Sequence, residues 1–165
     1  MKKTIILILC TVLLCAMLGC SNGGNTDEYK VEFTVDGTVY TFTGGYNNLD
    51  NPPEGCLSGG ASAILIKATP EGAVNTDSYV LIGIGENSVG IYIETSSDIW
   101  FSSHTPDFSD AAVEDLNLEI TTLQVVGGEI SGTFSGTVND GGDTKALTNG
   151  LFRVRRIADN SFVLN

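Results

Sequence analysis

The chain has 165 residues, with 20 acidic against eight basic side chains, one histidine and four cysteines, for a formal net charge of −12. An acidic excess of this size excludes the roles that need a basic patch, namely nucleic-acid binding and purely electrostatic docking on anionic lipid. The single histidine and the scattered cysteines supply neither a zinc ligand set nor a Cys-x-x-Cys-His haem site.

Lys2 and Lys3 precede an apolar run from Ile5 to Leu18 that only Thr11 interrupts, too short to span a bilayer comfortably. It reads as an N-terminal signal helix. Its end, Met17-Leu18-Gly19-Cys20, resembles the lipobox of bacterial lipoproteins. Gly19 and Cys20 carry the match, while Met17 and Leu18 stand where the family has Leu and a small residue. The resemblance implies that residues 1 to 19 are removed and that Cys20 is acylated. Each buried methylene contributes about 0.8 kcal/mol, so two or three acyl chains hold durably where one binds only marginally. The expected location is the cell envelope. Ser21 stands where an Asp would resemble an inner-membrane retention signal, which favours the outer membrane in a Gram-negative source.

Removing 19 residues from 165 leaves 146, one ordinary domain, with six basic against 20 acidic side chains and a net charge of −14. Cys10 and Cys15 leave with the signal and Cys20 carries lipid, so Cys56 has no intramolecular partner. It is expected to be either buried and inert or a thiol that pairs between chains.

Ser21 to Glu28 is polar and aperiodic, a flexible tether spanning roughly 16 Å. The domain proper runs over 29–165. Tyr29 to Val35 and Thr38 to Thr43 flank Asp36-Gly37, the residues of a type I′ turn, which pairs Val35 with Thr38, Phe33 with Tyr40 and Val31 with Phe42. Gly44 to Gly60, with two prolines, three asparagines and five glycines, keeps no apolar period and reads as a long irregular stretch. Ala61 to Ala68 and Ser78 to Ile84 are continuous apolar runs, as in central strands. Val89 to Glu94 follows as the second arm of a hairpin, and Ile99 to Ser102 is a short strand. Ser103 to Asp115 breaks the β pattern, with Ser109 placed to cap a short helix over Asp110 to Asp115.

Leu116, Leu118 and Ile120 share one parity and Leu123 and Val125 the other, which implies a bulge near Thr121-Thr122. A Gly127-Gly128 turn would pair Val125 with Ile130. Ile130, Gly132, Phe134, Gly136 and Val138 then alternate with a row of hydroxyls from Ser131 to Thr137. After the Asp140 to Asp143 turn, the spacing of Leu147 against Phe152 and Val154 calls for a bulge at Asn149-Gly150; the competing reading is a tight Asn-Gly hairpin. Phe162 to Leu164 read as a last edge strand. The run Ile130 to Val138 followed by Leu147 to Phe152 looks like the closing hairpin of uncharacterised β-rich lipoprotein families of Gram-negative bacteria, which implies architecture and no catalytic residue.

The fold expected is therefore all-β: a single antiparallel β-sandwich or partly closed barrel of about eight to ten strands behind the signal helix. His104 is the residue any acid/base or Ser-His route must use, and neither a Gly-x-Ser-x-Gly elbow nor a paired base marks one. A Cys56–His104 dyad would depend wholly on folding. Asn47, Asn48, Asp50 and Asn51, then Asp107 and Asp110, then Asp140 and Asp143 offer oxygen ligands for calcium, without EF-hand spacing; the same residues are common turn formers. Tyr46, Trp100, Phe101 and Phe108 are candidates for a stacking surface beside the two irregular stretches.

The sequence thus points to a lipid-anchored envelope protein with a non-enzymatic binding or structural role. Lipidation falls on Cys20 and ligand contact on Tyr46, Asp50, Trp100, His104, Asp107 and Phe108. No cofactor is expected. The expected partners are the membrane, through the anchor, and a protein or glycan ligand. An envelope hydrolase or a calcium-stabilised module is the alternative.

Overall fold

A computed structural model describes residues 29–45, 51–58, 63–70, 78–94, 99–105, 108–140 and 142–161. The expected signal segment, Cys20, the expected tether and Phe162 to Leu164 lie outside these residues. Ten strands follow one another: β1 (Lys30–Val35), β2 (Thr38–Phe42), β3 (Glu54–Ser58), β4 (Ala63–Ala68), β5 (Tyr79–Ile84), β6 (Gly90–Ile93), β7 (Ile99–Thr105), β8 (Phe108–Leu123), β9 (Glu129–Asp140) and β10 (Asp143–Arg156). No helix occurs among the described residues, so none there is long and apolar enough to cross a membrane.

All ten strands belong to one mostly antiparallel sheet. The long hairpin β9–β10 is its spine. The free edge of β10 takes β1 along Leu147 to Arg153 and then β3 at Arg155 and Arg156, the one parallel contact among the described residues. The far edge of β8 likewise takes β7 and then β6. Since β3, β4, β5, β7 and β8 are successive neighbours, the sheet curls back on itself. The seam between β10 and β3 is only two residue pairs long, so the barrel is partly closed.

One face of the curled sheet encloses a single core, fed by alternate residues of nearly every strand. Phe33 on β1 stacks on Phe42 at 5.7 Å and meets Phe101 of β7 edge-on at 5.5 Å, which ties the first hairpin to the opposite wall. Burial of each such aromatic or branched side chain contributes roughly 1.5–3 kcal/mol.

The first hairpin has the expected register, and Asp36 and Gly37 adopt φ of 49° and 80°. The bulges fall at the expected places: the β8–β9 register shifts between Ile120 and Thr122, and the β9–β10 register between Leu147 and Gly150, with Asn149 at φ 53°. The unbroken β10 removes the Asn-Gly hairpin reading.

Five expectations are corrected. Residues 54–58, placed in an irregular stretch, form β3; they lack a period because Glu54 to Leu57 are all buried, leaving no solvent face to alternate with. The helix over Asp110 to Asp115 is instead part of β8, where pairing with β7 and β9 at Ala112 and Val113 satisfies the backbone. Six residues cannot sustain a helix without packing. It follows that Ser103 to Asp115 is not a loop: β7 runs through Thr105 and β8 starts at Phe108.

The strand at Gly90–Ile93 pairs with β8, not with β5, because β7 already holds that edge of β5. Finally, Ile130 pairs with Leu123 rather than Val125. The turn is Val126-Gly127, closed by Gly128 N–H donating to the Val125 carbonyl at 2.9 Å, with Gly127 at φ 90° supplying the positive angle a type II turn requires.

Candidate functional site

Successive side chains of a strand point to opposite faces, so each strand of the barrel wall has an outer row as well as a core row. On β5, Val80, Ile82 and Ile84 enter the core, leaving Tyr79, Leu81 and Gly83 outside. On β7, Ile99, Phe101, Ser103 and Thr105 are buried and Trp100, Ser102 and His104 face outward. The antiparallel register then sets Tyr79 against His104, Leu81 against Ser102 and Gly83 against Trp100.

Two of these cross-strand pairs are aromatic platforms. Tyr79 and His104 stack at 6.1 Å between centroids with planes 14° apart. Trp100 lies flat on the β5 backbone: a Cβ built on Gly83 would stand 2.1 Å from its Cε2 and 2.2 Å from its Nε1. The missing side chain of Gly83 is therefore the seat of the indole. Trp100 nevertheless remains 43% exposed, so its outward π face stays in water. Along β7 the two platforms are four residues, or about 13 Å, apart.

The outer face becomes apolar and covered toward β3. Leu65 and the fully buried Cys56 form a small cluster with Leu81 and Ile157. Residues after β10 continue along the edge of β3, with Ile157 N–H donating to the Gly55 carbonyl and Asn160 N–H to that of Leu57, both at 2.8 Å. Cys56 makes no disulfide, and its burial removes the expectation of pairing between chains.

Of the residues singled out in the sequence, Trp100 and His104 are brought onto one face. The β8 backbone at Phe108 pairs with Thr105, close to His104 in the chain. Cys20, Tyr46, Asp50 and Asp107 lie outside the described residues. Tyr79, Leu81 and Gly83 were missed. The signal for Gly83 was present, since an isolated glycine inside an apolar strand marks a close approach.

The geometry does not assemble the hydrolytic combinations. Ser103 and His104 point to opposite faces, with Ser103 fully buried in the core. Cys56 on β3 and His104 on β7 are separated by β4 and β5, three strand spacings or about 14 Å. At the β9–β10 turn Asn139 acts as a turn former, its Oδ1 accepting from Gly142 N–H at 3.2 Å. No group of three or more His, Cys, Asp or Glu side chains suited to a metal ion occurs among the described residues.

What this face can do chemically is stack and hydrogen-bond. It offers an exposed indole, a phenol–imidazole pair and a hydroxyl between them, on a rigid two-strand support. No family model, no curated protein and no solved structure matches the chain.

Proposed function

We propose that the chain is a lipid-anchored protein of the cell envelope with a non-enzymatic binding role, and that the outer face of β5 and β7 makes the contact. The observation that carries the binding role is the exposed Trp100 seated on Gly83, in line with the Tyr79–His104 stack. An indole of that size held flat at a water-facing surface adds nothing to the core, while offering a π surface to a partner. The ligand class it suits best is a glycan: the C–H faces of pyranose rings lie flat on aromatic rings, and Ser102, Tyr79 and His104 supply hydroxyl, phenol and imidazole groups to sugar hydroxyls. The anchoring half of the proposal rests on the lipobox-like Met17 to Cys20, and Ser21 points it to the outer membrane of a Gram-negative source.

Calorimetric titration with soluble oligosaccharides released from bacterial envelopes tests the binding role. Saturable heat is expected for the native chain and its loss for Trp100→Ala. Binding that survives this substitution would move the contact elsewhere. Palmitate labelling is expected in the native chain and not in Cys20→Ser; label retained by the variant would refute the anchor.

A further inference from the structure

The point where the chain enters the domain and the tip of the β8–β9 hairpin lie at the same end of the barrel. Tyr29 directly precedes β1, and the Arg153 guanidinium sits 5.9 Å from the centre of its ring. Lys30 pairs with Arg153, whose other neighbour is Ser131 near the start of β9. Three residues on, Arg156 grips the hairpin turn. Its N–H donates to the Gly128 carbonyl at 2.9 Å, its carbonyl accepts from Gly127 N–H at 2.8 Å, and its Nη1 donates to the Gln124 carbonyl.

The tip so held carries Val125, 79% exposed, and Val126, 52% exposed. Turn positions ordinarily take small polar residues, and two adjacent branched aliphatics in water have no folding purpose there.

Four ion pairs gather at this end. Lys30 pairs with Glu32 at 3.0 Å, Arg153 with Glu129 at 2.7 Å, Arg155 with Glu54 at 2.5 Å and Arg156 with Asp159 at 3.3 Å. These are four of the six basic residues after Cys20, matched by four of the 20 acidic ones. Lys67 stands opposite Glu54 on β4, at the same end. This pairing lowers the repulsion that an anionic surface exerts on the end where the chain enters.

We infer that the Val125-Val126 turn is a second membrane contact, inserted into the bilayer interface beside the anchor. The inference rests on the proposed acylation of Cys20. From Cys20 to Tyr29 is nine residues, at most about 30 Å when extended. The end of the domain at which the tether arrives is therefore held within reach of the bilayer, with its apolar tip and Tyr29 foremost. Insertion turns a loose leash into a defined orientation, as aromatic and aliphatic side chains at the interface do for other peripheral proteins.

The test uses the acylated chain in vesicles of phosphatidylethanolamine and phosphatidylglycerol. Burial of Cys56 leaves an introduced thiol as the reactive one, so Val125→Cys can carry an environment-sensitive fluorophore, and Asp36→Cys at the opposite end of β1 serves as the control. A blue-shifted emission at position 125, quenched by nitroxide-bearing lipid, with neither effect at position 36, is the expected result. A chain that stays with the vesicles while both probes remain in water overturns the inference alone. A chain that does not sediment with the vesicles sinks the anchor and the inference together. A shift at position 125 that appears only when envelope proteins are added assigns the turn to a protein partner and also overturns it.

Discussion

Phe134 lies against Gly150 of the neighbouring strand: a Cβ on Gly150 would stand 2.7 Å from the ring and 2.3 Å from the Phe134 carbonyl oxygen. The bulge at Asn149 brings the two strands into this approach. The motif recurs at Gly132, where a Cβ would meet Phe152 at 2.5 Å, and outside the barrel at Gly83 under Trp100. We expect Gly150→Ala to lower stability by about 3 kcal/mol, because its closest obstacle is backbone rather than a side chain that can swing aside. Chemical denaturation measures it; a loss below about 1 kcal/mol would show that the ladder yields.

At Gly83 the obstacle is a partly exposed side chain, so the response should differ. Gly83→Ala is expected to cost only about 1 kcal/mol and to lift Trp100 off the sheet. Trp100 is the chain's one tryptophan, so its emission reports the event directly. A shift to longer wavelength and stronger acrylamide quenching are expected, together with weakened ligand binding. Unchanged emission would mean that the indole does not depend on this seat.

Glu54 is only 4% exposed and its Oε1 accepts from Arg155 Nη2 at 2.5 Å, across the short seam between β10 and β3. Lys67 stands opposite Glu54 on β4, so Arg155→Ala strips the buried carboxylate of one of two flanking cations and should cost about 2 kcal/mol. Replacing both partners by apolar residues, as in Glu54→Leu with Arg155→Met, should recover most of that loss. A double variant as unstable as the single one would show that the pair contributes something beyond mutual neutralisation.

Ser103 is fully buried and its Oγ has no hydrogen-bond partner among the described residues. An unpaired hydroxyl in the core costs about 1–3 kcal/mol, so Ser103→Ala should leave stability unchanged or raise it by about 1 kcal/mol. Thermal unfolding decides the sign, and a clear drop in Tm would reveal a partner for the hydroxyl.

The candidate site was only half legible in the sequence. Trp100 and His104 stood out by residue type, and their shared parity already placed them on one face of a strand. Their partners Tyr79 and Gly83 lie about 20 residues earlier in the chain, and nothing local says that β7 rather than β6 lies beside β5. Cross-strand neighbours belong to the pairing, which is a long-range contact.

By itself the sequence determined the all-β class, the Asp36-Gly37 hairpin with its register, and the bulges near Thr121-Thr122 and at Asn149-Gly150. Each of these is written in a few consecutive residues, through alternation, a turn that needs positive φ, or a skipped beat in the apolar rhythm. Only the tertiary structure decided that Glu54–Ser58 is a strand, that Asp110 to Asp115 extends β8, and that Val126-Gly127 rather than Gly127-Gly128 makes the turn. A strand buried on both faces has no period to read, and a helix-like stretch becomes a strand when neighbours on either side pair with it.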